Sequence, residues 1–231
     1  MKYRIKEIYF TQQGEGKNTG KDFVFVRFSG CNLWSGKEKH RASAICNFCD
    51  TDFYGTDGIN GGVYEAKDLI AKIKSLWVSL DKEVRVVLTG GEPLLQVDDL
   101  LIKALKKAKI YIAIETNGTL KAPQGIDWIC MSPKANTTIE LTEGSEIKVI
   151  YPQENLNPID FNNMNFTNYY IQPLDSEDYN KNVSKSVKFC MQHPNWRLSL
   201  QTHKILGIRQ KHQRSKQSKS QKHAALYISG K

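Results

Sequence analysis

Residues 84–93 have the sequence Val-Arg-Val-Val-Leu-Thr-Gly-Gly-Glu-Pro, in which a short apolar run ends at two glycines. β-Branched residues in such a run are typical of a buried strand. The glycines permit a tight turn and let the backbone approach a ligand closely. Helical periodicity resumes at Leu100 and continues to Ala108. The segment is therefore predicted to be a strand, a turn and a helix, which is the repeating unit of a parallel α/β sheet.

Similar apolar runs predict seven further strands along the chain. These are Ile5–Phe10, Phe23–Phe28, Ile110–Ile114, Trp128–Met131, Ile147–Ile150, Tyr169–Ile171 and Leu198–Leu200. Helical stripes occur only at 69–77, 100–108 and, more weakly, 183–191. Three helices are too few for a complete eight-unit barrel. The predicted fold is α/β, a partial TIM-like barrel of parallel strands with few helices.

Polar residues directly follow six of the predicted strands. They are Ser29-Gly30-Cys31, Thr89-Gly90-Gly91-Glu92, Glu115-Thr116-Asn117, Ser132-Pro133-Lys134, Gln172-Pro173-Leu174-Asp175 and Gln201-Thr202-His203. In barrels of parallel strands, the carboxyl ends of the strands form the active-site face. We therefore expect these residues to surround one site.

Charge and hydropathy exclude two classes of protein. The net charge of +9 includes seven Lys or Arg and no acid between Arg209 and Lys231, so residues 1–208 carry only +2. A basic nucleic-acid-binding face on the body is therefore not expected. No apolar run is long enough to span a membrane, and the amino-terminal residues do not resemble a signal peptide. These features predict a cytoplasmic protein with no membrane partner.

The chain is predicted to consist of a domain at 1–208 and a basic, disordered carboxy-terminal tail at 209–231. The tail is dominated by Gln, Lys, Ser and His as far as His223, a composition that cannot bury a core. Three origins stay open: a reading-frame artefact, a solvated extension, or a contact with RNA or another partner.

The five cysteines divide into two groups. Disulfides are rare in the cytoplasm, and Cys130 and Cys190 stand in apolar settings that predict plain buried packing. Cys31, Cys46 and Cys49 lie within 19 positions. Three thiolates would leave one iron of a four-iron cluster without a protein ligand. Together with His40 the same thiols would make a Cys3His zinc site, and the spacing leaves both interpretations open.

The wider set of motifs resembles the radical S-adenosylmethionine superfamily. The usual cluster motif of that superfamily has three residues and then two between its cysteines, whereas fourteen separate Cys31 from Cys46 here. Within the superfamily, the chain is similar over residues 3–208 to the 7-carboxy-7-deazaguanine synthase family. The matching motifs are Thr11-Gln12-Gln13-Gly14-Glu15-Gly16, Phe28-Ser29-Gly30-Cys31-Asn32-Leu33-Trp34, Cys49-Asp50-Thr51-Asp52, Thr89-Gly90-Gly91-Glu92-Pro93, Glu115-Thr116-Asn117-Gly118, Ser132-Pro133-Lys134 and Leu200-Gln201-Thr202-His203-Lys204.

The resemblance implies a role for each matched residue. The catalytic cysteines Cys31, Cys46 and Cys49 would hold one [4Fe–4S] cluster, and Thr51 would bind Mg2+. Residues expected to bind S-adenosylmethionine are Phe48, Asp50, Gly91, Glu92, Asn117, Ser132, Pro133, Lys134, Gln172, Pro173, Leu174 and Asp175. Residues expected to bind the substrate are Gln12, Gln13, Gly14, Glu15, Arg27, Thr89, Glu115 and His203. For Glu115 and Asn117 the choice between cofactor and substrate stays open.

The resemblance also implies the reaction and the partners. The expected activity is that of a radical lyase converting 6-carboxy-5,6,7,8-tetrahydropterin to 7-carboxy-7-deazaguanine with loss of ammonia, in the biosynthesis of queuosine and related deazapurines. A flavodoxin or ferredoxin would donate electrons, and the enzyme would be a homodimer. The alternatives are another radical enzyme, such as a glycyl-radical activase, and a zinc-bearing nucleic-acid-binding module. The activase would lack the expanded first cysteine interval and the Gln-Gly-Glu-Gly loop.

Overall fold

A computed structural model of the chain describes residues 1–208. The tail predicted for residues 209–231 lies outside the described residues. The strands are β1 Lys2–Gln12, β2 Asp22–Phe28, β3 Gly62–Glu65, β4 Arg85–Gly90, β5 Tyr111–Thr116, β6 Trp128–Met131, β7 Glu143–Tyr151, β8 Asn165–Pro173 and β9 Trp196–Leu198. The α-helices are α1 Ala66–Leu76, α2 Asp99–Lys107, α3 Tyr179–Gln192 and α4 Thr202–Ile205. None of these helices is long and apolar enough to cross a membrane.

All nine strands belong to one sheet, in the order β3-β1-β2-β4-β5-β6-β7-β8-β9. Each pairing from β2 to β9 is parallel, whereas β1 runs antiparallel to both of its neighbours. Because β3 and β9 are edges that do not meet, the sheet is an open, partial barrel. The predicted α/β class and incomplete barrel are confirmed.

The two faces of the sheet bury different chemistry. Val24, Val26 and Phe28 of β2 face outward into the core that contains buried residues of α1 and α2. The alternate residues Phe23 and Phe25 belong to a separate inner cluster, and Arg27 lies on the same inner face. Since successive strand residues point to opposite faces, the parallel strands carry polar side chains into the barrel interior while keeping an apolar exterior beneath the helices.

Some predicted elements differ from the structure. Strand β3 is missing from the sequence prediction because its four residues alternate between half-buried and exposed at a sheet edge. The last strand ends at Leu198 rather than Leu200, so His203 lies in the short helix α4 and not at a strand end. Helix α3 buries Asn182, Ser186 and Phe189, whereas the predicted apolar stripe is half-buried or exposed. That stripe consists of Val183, Val187, Cys190 and Met191.

The two isolated cysteines also differ from expectation in part. Cys130 is buried, but it lies on the polar inner face, where its Sγ contacts Glu146 Oε1 at 3.4 Å. Its setting is therefore not the plain apolar packing that its neighbours in sequence suggest. Cys190 is half-buried against the apolar cluster around α3, in agreement with a packing role.

Candidate active site

The carboxyl ends of the parallel strands surround a cavity of about 540 Å3. This size is typical of a site for small molecules. All of the predicted site residues line the cavity except Glu92 and Pro133. The fold thus brings side chains from Gln12 to His203 around one space, as expected when strand ends share one edge of a parallel sheet.

The three clustered cysteines lie in loops beyond the end of β2, in a part of the chain that we call the cysteine segment, residues 31–51. All three line the cavity as free thiols. Burial raises their pKa values, that of Cys49 to about 12. The thiols are therefore neutral in the ligand-free protein, and binding of a metal centre would release their protons.

The ligands available in the cavity bear on the choice between a cluster and a single metal ion. Within residues 1–208, no three His, Cys, Asp or Glu side chains surround a point where a single metal ion could sit. The His40 ring instead shares a hydrogen bond with Ser35, 2.8 Å from Nδ1 to Oγ. Each cysteine of an iron–sulfur cluster binds a different iron, so the thiols can stand farther apart than the ligands of one ion. Three soft thiol donors on one cavity fit such a cluster.

The Gly-Gly turn after β4 lies directly against the first cysteine. A Cβ atom at Gly91 would clash with the carbonyl oxygen of Gly30 and stand 2.7 Å from Cβ of Cys31. The amide of Glu92 donates to the Gly30 carbonyl oxygen at 2.9 Å. Only glycine permits this approach of the two strand-end turns, so the sequence motif places the backbone of residue 91 beside Cys31.

Glu92 is buried behind the residues that line the cavity. Its fully buried carboxylate accepts hydrogen bonds from the amides of Leu94 and Asn117 at 2.9 and 2.7 Å and from the Thr116 hydroxyl at 2.7 Å. Burial raises the pKa of Glu92, while these donors oppose the rise. The Asn117 side chain in turn donates to Asn32 Oδ1 at 2.9 Å. Glu92 therefore ties the ends of β4 and β5 together.

Arg41 is a residue that sequence reasoning missed. It lies within the expanded interval between the first two cysteines, and its Nη1 donates to the carbonyl oxygens of Asn47 and Cys49 at 2.8 and 3.0 Å. Its guanidinium also stacks over the Trp34 ring, 4.1 Å from the centroid. The longer interval thus supplies a clamp on the Cys46–Cys49 loop, a contact that no spacing rule predicts.

Lys204 connects two residues predicted to bind S-adenosylmethionine. Its Nζ pairs with Asp50 at 2.5 Å and with Asp175 at 2.6 Å. Burial opposes ionisation of Asp50, but the Lys204 charge outweighs it and holds the pKa of Asp50 below its usual value. The preceding residue, His203, has its pKa lowered mainly by burial. Its imidazole is therefore neutral at pH 7.

Arg27 donates hydrogen bonds to two residues of β1. Its Nε donates to Glu7 Oε1 at 2.8 Å and its Nη2 to the Tyr9 hydroxyl at 3.2 Å, with the Arg27 and Glu7 side chains both almost completely buried. Since the Glu7 bond occupies Nε, a substrate carboxylate would have to meet another edge of the guanidinium. The sequence did not identify Glu7 and Tyr9, because they sit within a strand rather than after it.

Residues 13–17, which we call the strap, cross from the end of β1 toward the far side of the barrel. The Gln13 side chain donates to Glu115 Oε1 at 2.7 Å. The amide and hydroxyl of Thr202 donate to the Gly14 carbonyl oxygen at 3.0 and 2.9 Å. The predicted substrate loop is therefore fixed to both β5 and α4.

The remaining predicted residues are less constrained. Thr51 is half-buried and its hydroxyl contacts Asp50 Oδ1 at 3.4 Å. Lys134 Nζ donates to both oxygens of Ser132, at 2.6 and 2.8 Å. Burial lowers the pKa of Lys134, against the effect of the nearby thiols of Cys46 and Cys49. A lysine close to the thiols would favour the thiolate form that a cluster requires.

Three thiols beyond strand ends, a glycine turn against the first of them and a partial parallel barrel define a radical S-adenosylmethionine enzyme. The family model for the radical SAM superfamily matches residues 40–139. The superfamily includes enzymes of many activities, so the relatives decide the family. The chain is 52% identical over 209 residues to the 7-carboxy-7-deazaguanine synthase of Caulobacter vibrioides, covering 90% of this chain and all of the relative.

Two further comparisons agree. The 7-carboxy-7-deazaguanine synthase of Burkholderia multivorans is 50% identical over 209 residues, with the same coverage of both chains. The crystal structure of QueE from Escherichia coli superposes with a TM-score of 0.65 at 25% identity, covering 87% of this chain and 94% of that one. The chain belongs to the 7-carboxy-7-deazaguanine synthase family. This membership separates it from the glycyl-radical activases and the zinc modules that the sequence left as alternatives.

Proposed function

We propose that the cavity converts 6-carboxy-5,6,7,8-tetrahydropterin to 7-carboxy-7-deazaguanine with loss of ammonia, as a step in queuosine and related deazapurine biosynthesis. The observation that carries the proposal is the meeting of three free thiols and a buried arginine on one cavity. The thiols suit an iron–sulfur cluster, and the arginine suits an acidic substrate.

Cys31, Cys46 and Cys49 would hold the [4Fe–4S] cluster. When bound, the cluster supplies the electron that cleaves S-adenosylmethionine to a radical, so the protein's part is binding, orientation and exclusion of water. The backbone beside Gly91, which contacts Cys31, would receive the amino-acid end of S-adenosylmethionine. Phe48 and the segments 132–134 and 172–175 would hold its nucleoside.

Arg27 would hold the substrate carboxylate, and the strap would cover the pterin ring. Support comes from the ion pair with Glu7, which fixes the guanidinium before any ligand arrives. Thr89, Glu115 and His203 line the same space and would contact the ring. Thr51 would contribute one oxygen to Mg2+, an ion that prefers hard oxygen ligands and keeps positions open for a substrate.

The unit that carries this activity would be the domain at residues 1–208, acting in the cytoplasm. Free thiols in the cavity suit a reducing compartment. We expect a homodimer and an electron donor of the flavodoxin or ferredoxin type.

The decisive experiment is anaerobic reconstitution of the full chain with iron and sulfide. Reconstituted protein with dithionite, S-adenosylmethionine, Mg2+ and the carboxytetrahydropterin should yield the deazapurine acid, identified by mass spectrometry. Omission of the iron, S-adenosylmethionine or pterin should stop the reaction, and omission of Mg2+ should slow it strongly. A protein that loads a cluster and cleaves S-adenosylmethionine but never forms the deazapurine would contradict the proposal.

A further inference from the structure

Lys148 is a buried cation that the substrate residues enclose. It lies on the inner face of β7 with its side chain 4% exposed. Its Nζ pairs with Glu15 Oε2 at 2.5 Å and stands 3.9 Å from Glu115 Oε2. Its position within an apolar strand sequence, Glu146-Ile147-Lys148-Val149, gave no signal of this role.

The strap is anchored on one side by hydrogen bonds that two of its backbone amides donate to side chains of the barrel. The Gly16 amide donates to Ser199 Oγ at 2.9 Å and the Lys17 amide to Glu146 Oε2 at 2.9 Å. Gly16 has a φ of +64°, and a Cβ there would clash with Glu146. These bonds fix the backbone of residues 16–17. They do not by themselves set the direction of the Glu15 carboxylate.

The direction of that carboxylate comes from its two side-chain partners. Gln201 Nε2 donates to Glu15 Oε1 at 2.8 Å, and Lys148 binds the other oxygen. Carboxylate oxygens have lone pairs for more than one donor, so Glu15 can still accept hydrogen bonds from a ligand. Lys148 is the charged member of this arrangement and reaches Glu115 as well.

The local charge balance depends on Lys148. The titratable and charged groups that act on Lys148 or on Glu15 include Glu115, Glu146, Cys130, Lys134, His203 and Asp50, besides the two residues themselves. Burial raises the pKa of Glu146. Burial opposes ionisation of Glu15 too, but the Lys148 charge outweighs it and keeps the pKa of Glu15 at about 2. Without Lys148, Glu15 and Glu115 would be two half-buried carboxylates with no cation between them.

We propose that Lys148 is a positioning residue for the substrate, holding the carboxylates of Glu15 and Glu115 in the orientation that receives the N–H groups of a pterin ring. The proposal rests on the proposed function of the cavity. It separates substrate binding from cofactor binding, because the contacts of Lys148 are with Glu15 and Glu115 and not with the cysteine segment.

The test compares the wild type with four variants, each loaded with its cluster. Lys148→Met, Glu15→Gln and the double variant form a cycle, and Lys106→Met is the control, since its ion pair with Asp127 lies outside the cavity. In each protein, KM for the pterin, KM for S-adenosylmethionine, kcat and iron content are measured. Lys148→Met should raise the pterin KM roughly 30-fold, the scale of breaking a buried charge pair. Its KM for S-adenosylmethionine and its iron content should stay at the wild-type values.

The cycle distinguishes positioning from general damage. If Lys148 acts through Glu15, then Glu15→Gln should change the pterin KM much less in the Lys148→Met background than in the wild type. Equal factors in the two backgrounds would overturn the proposal, as would a wild-type pterin KM in Lys148→Met. Should that variant fail to fold, Lys148→Gln replaces it. If neither variant folds, Lys148 supports the fold rather than the substrate, and the proposal is wrong.

The proposed function has a separate point of failure. A wild-type enzyme that does not turn over the pterin would contradict the assigned reaction before any variant is compared. A wild-type enzyme that turns it over, beside a Lys148→Met protein with unchanged kinetics, would contradict only the role of Lys148.

Discussion

The cysteine segment and the cavity floor are built in opposite ways. The segment supplies its three thiols from residues 31–51, in loops where Cys31 and Cys49 remain half-buried. The floor, by which we mean Glu7, Arg27, Lys148 and Glu15, takes three charged groups from strands and the fourth from the strap. Inside the barrel, Arg27 pairs with Glu7 and Lys148 pairs with Glu15. The segment is local and would be completed by a cofactor, whereas the floor is organised by the protein before any ligand binds.

The largest expected effect lies in the cysteine segment. Cys49→Ser removes one of three proposed cluster ligands, and we expect iron content and turnover to fall to background because a hydroxyl is a poor ligand for iron in a cluster. Iron and sulfide analysis with visible absorption checks this. The matched control is Cys190→Ser on α3, outside the cavity, which should keep its cluster. Full iron loading in Cys49→Ser would show that the thiols do not act as a set.

The second effect tests the floor without touching the cluster. Arg27→Lys keeps the charge but loses the planar guanidinium that can bind Glu7 and a substrate carboxylate together. We expect kcat/KM for the pterin to fall about 10- to 100-fold, the scale of one charge-assisted hydrogen bond. Arg85→Lys, whose ion pairs lie outside the cavity, should keep wild-type kinetics. If Arg27→Lys also lost iron, the floor and the cysteine segment would not be independent, and the prediction would be wrong.

A third measurement asks whether the cysteine segment has any organisation of its own. Arg41→Met removes the two hydrogen bonds to the carbonyl oxygens of Asn47 and Cys49. We expect the cluster to be lost to a chelator at least 10-fold faster, since even one bond from a charged donor contributes on the order of 1.5 kcal/mol, which corresponds to about a factor of ten. Lys39→Met, an exposed change in the same segment, is the control. Equal rates for both variants would mean that the loop relies on the cofactor alone.

The smallest expected effect concerns how the stability of the protein depends on pH through His203, which lines the cavity. Burial lowers the pKa of His203, so the unfolded chain binds a proton at a higher pH than the folded protein does. The free energy of unfolding should therefore decrease as pH falls through about 6.5, by at most ~1.4 kcal/mol per pH unit. Urea unfolding between pH 7.5 and 5.5 measures this slope. His203→Asn should flatten it, and a slope unchanged by the substitution would place the proton uptake elsewhere.

Much of the fold could be read from strand and turn chemistry. The Gly-Gly turn after β4 lies where the sequence predicted it, and the structure shows Gly91 against Gly30 and Cys31. The close approach of a ligand to these glycines stays a prediction. The edge strand β3 was not predicted, since four residues with two exposed side chains have no clear periodicity. On α3, Asn182 is buried because its side chain donates to the Leu174 carbonyl oxygen at 2.9 Å, a partner in the preceding loop that helical periodicity does not take into account.

The sequence by itself determined the cysteine segment, the glycine turn and the polar strand ends, because each depends on residue types and spacings within a few dozen positions. Only the tertiary structure decided which charges meet on the floor. Glu7 reaches Arg27 through strand pairing, and Lys148 reaches Glu15 across 133 residues of chain. Such pairs leave no local pattern, since the register of the sheet brings Glu7 beside Arg27, and the path of the strap brings Glu15 to the inward-facing Lys148.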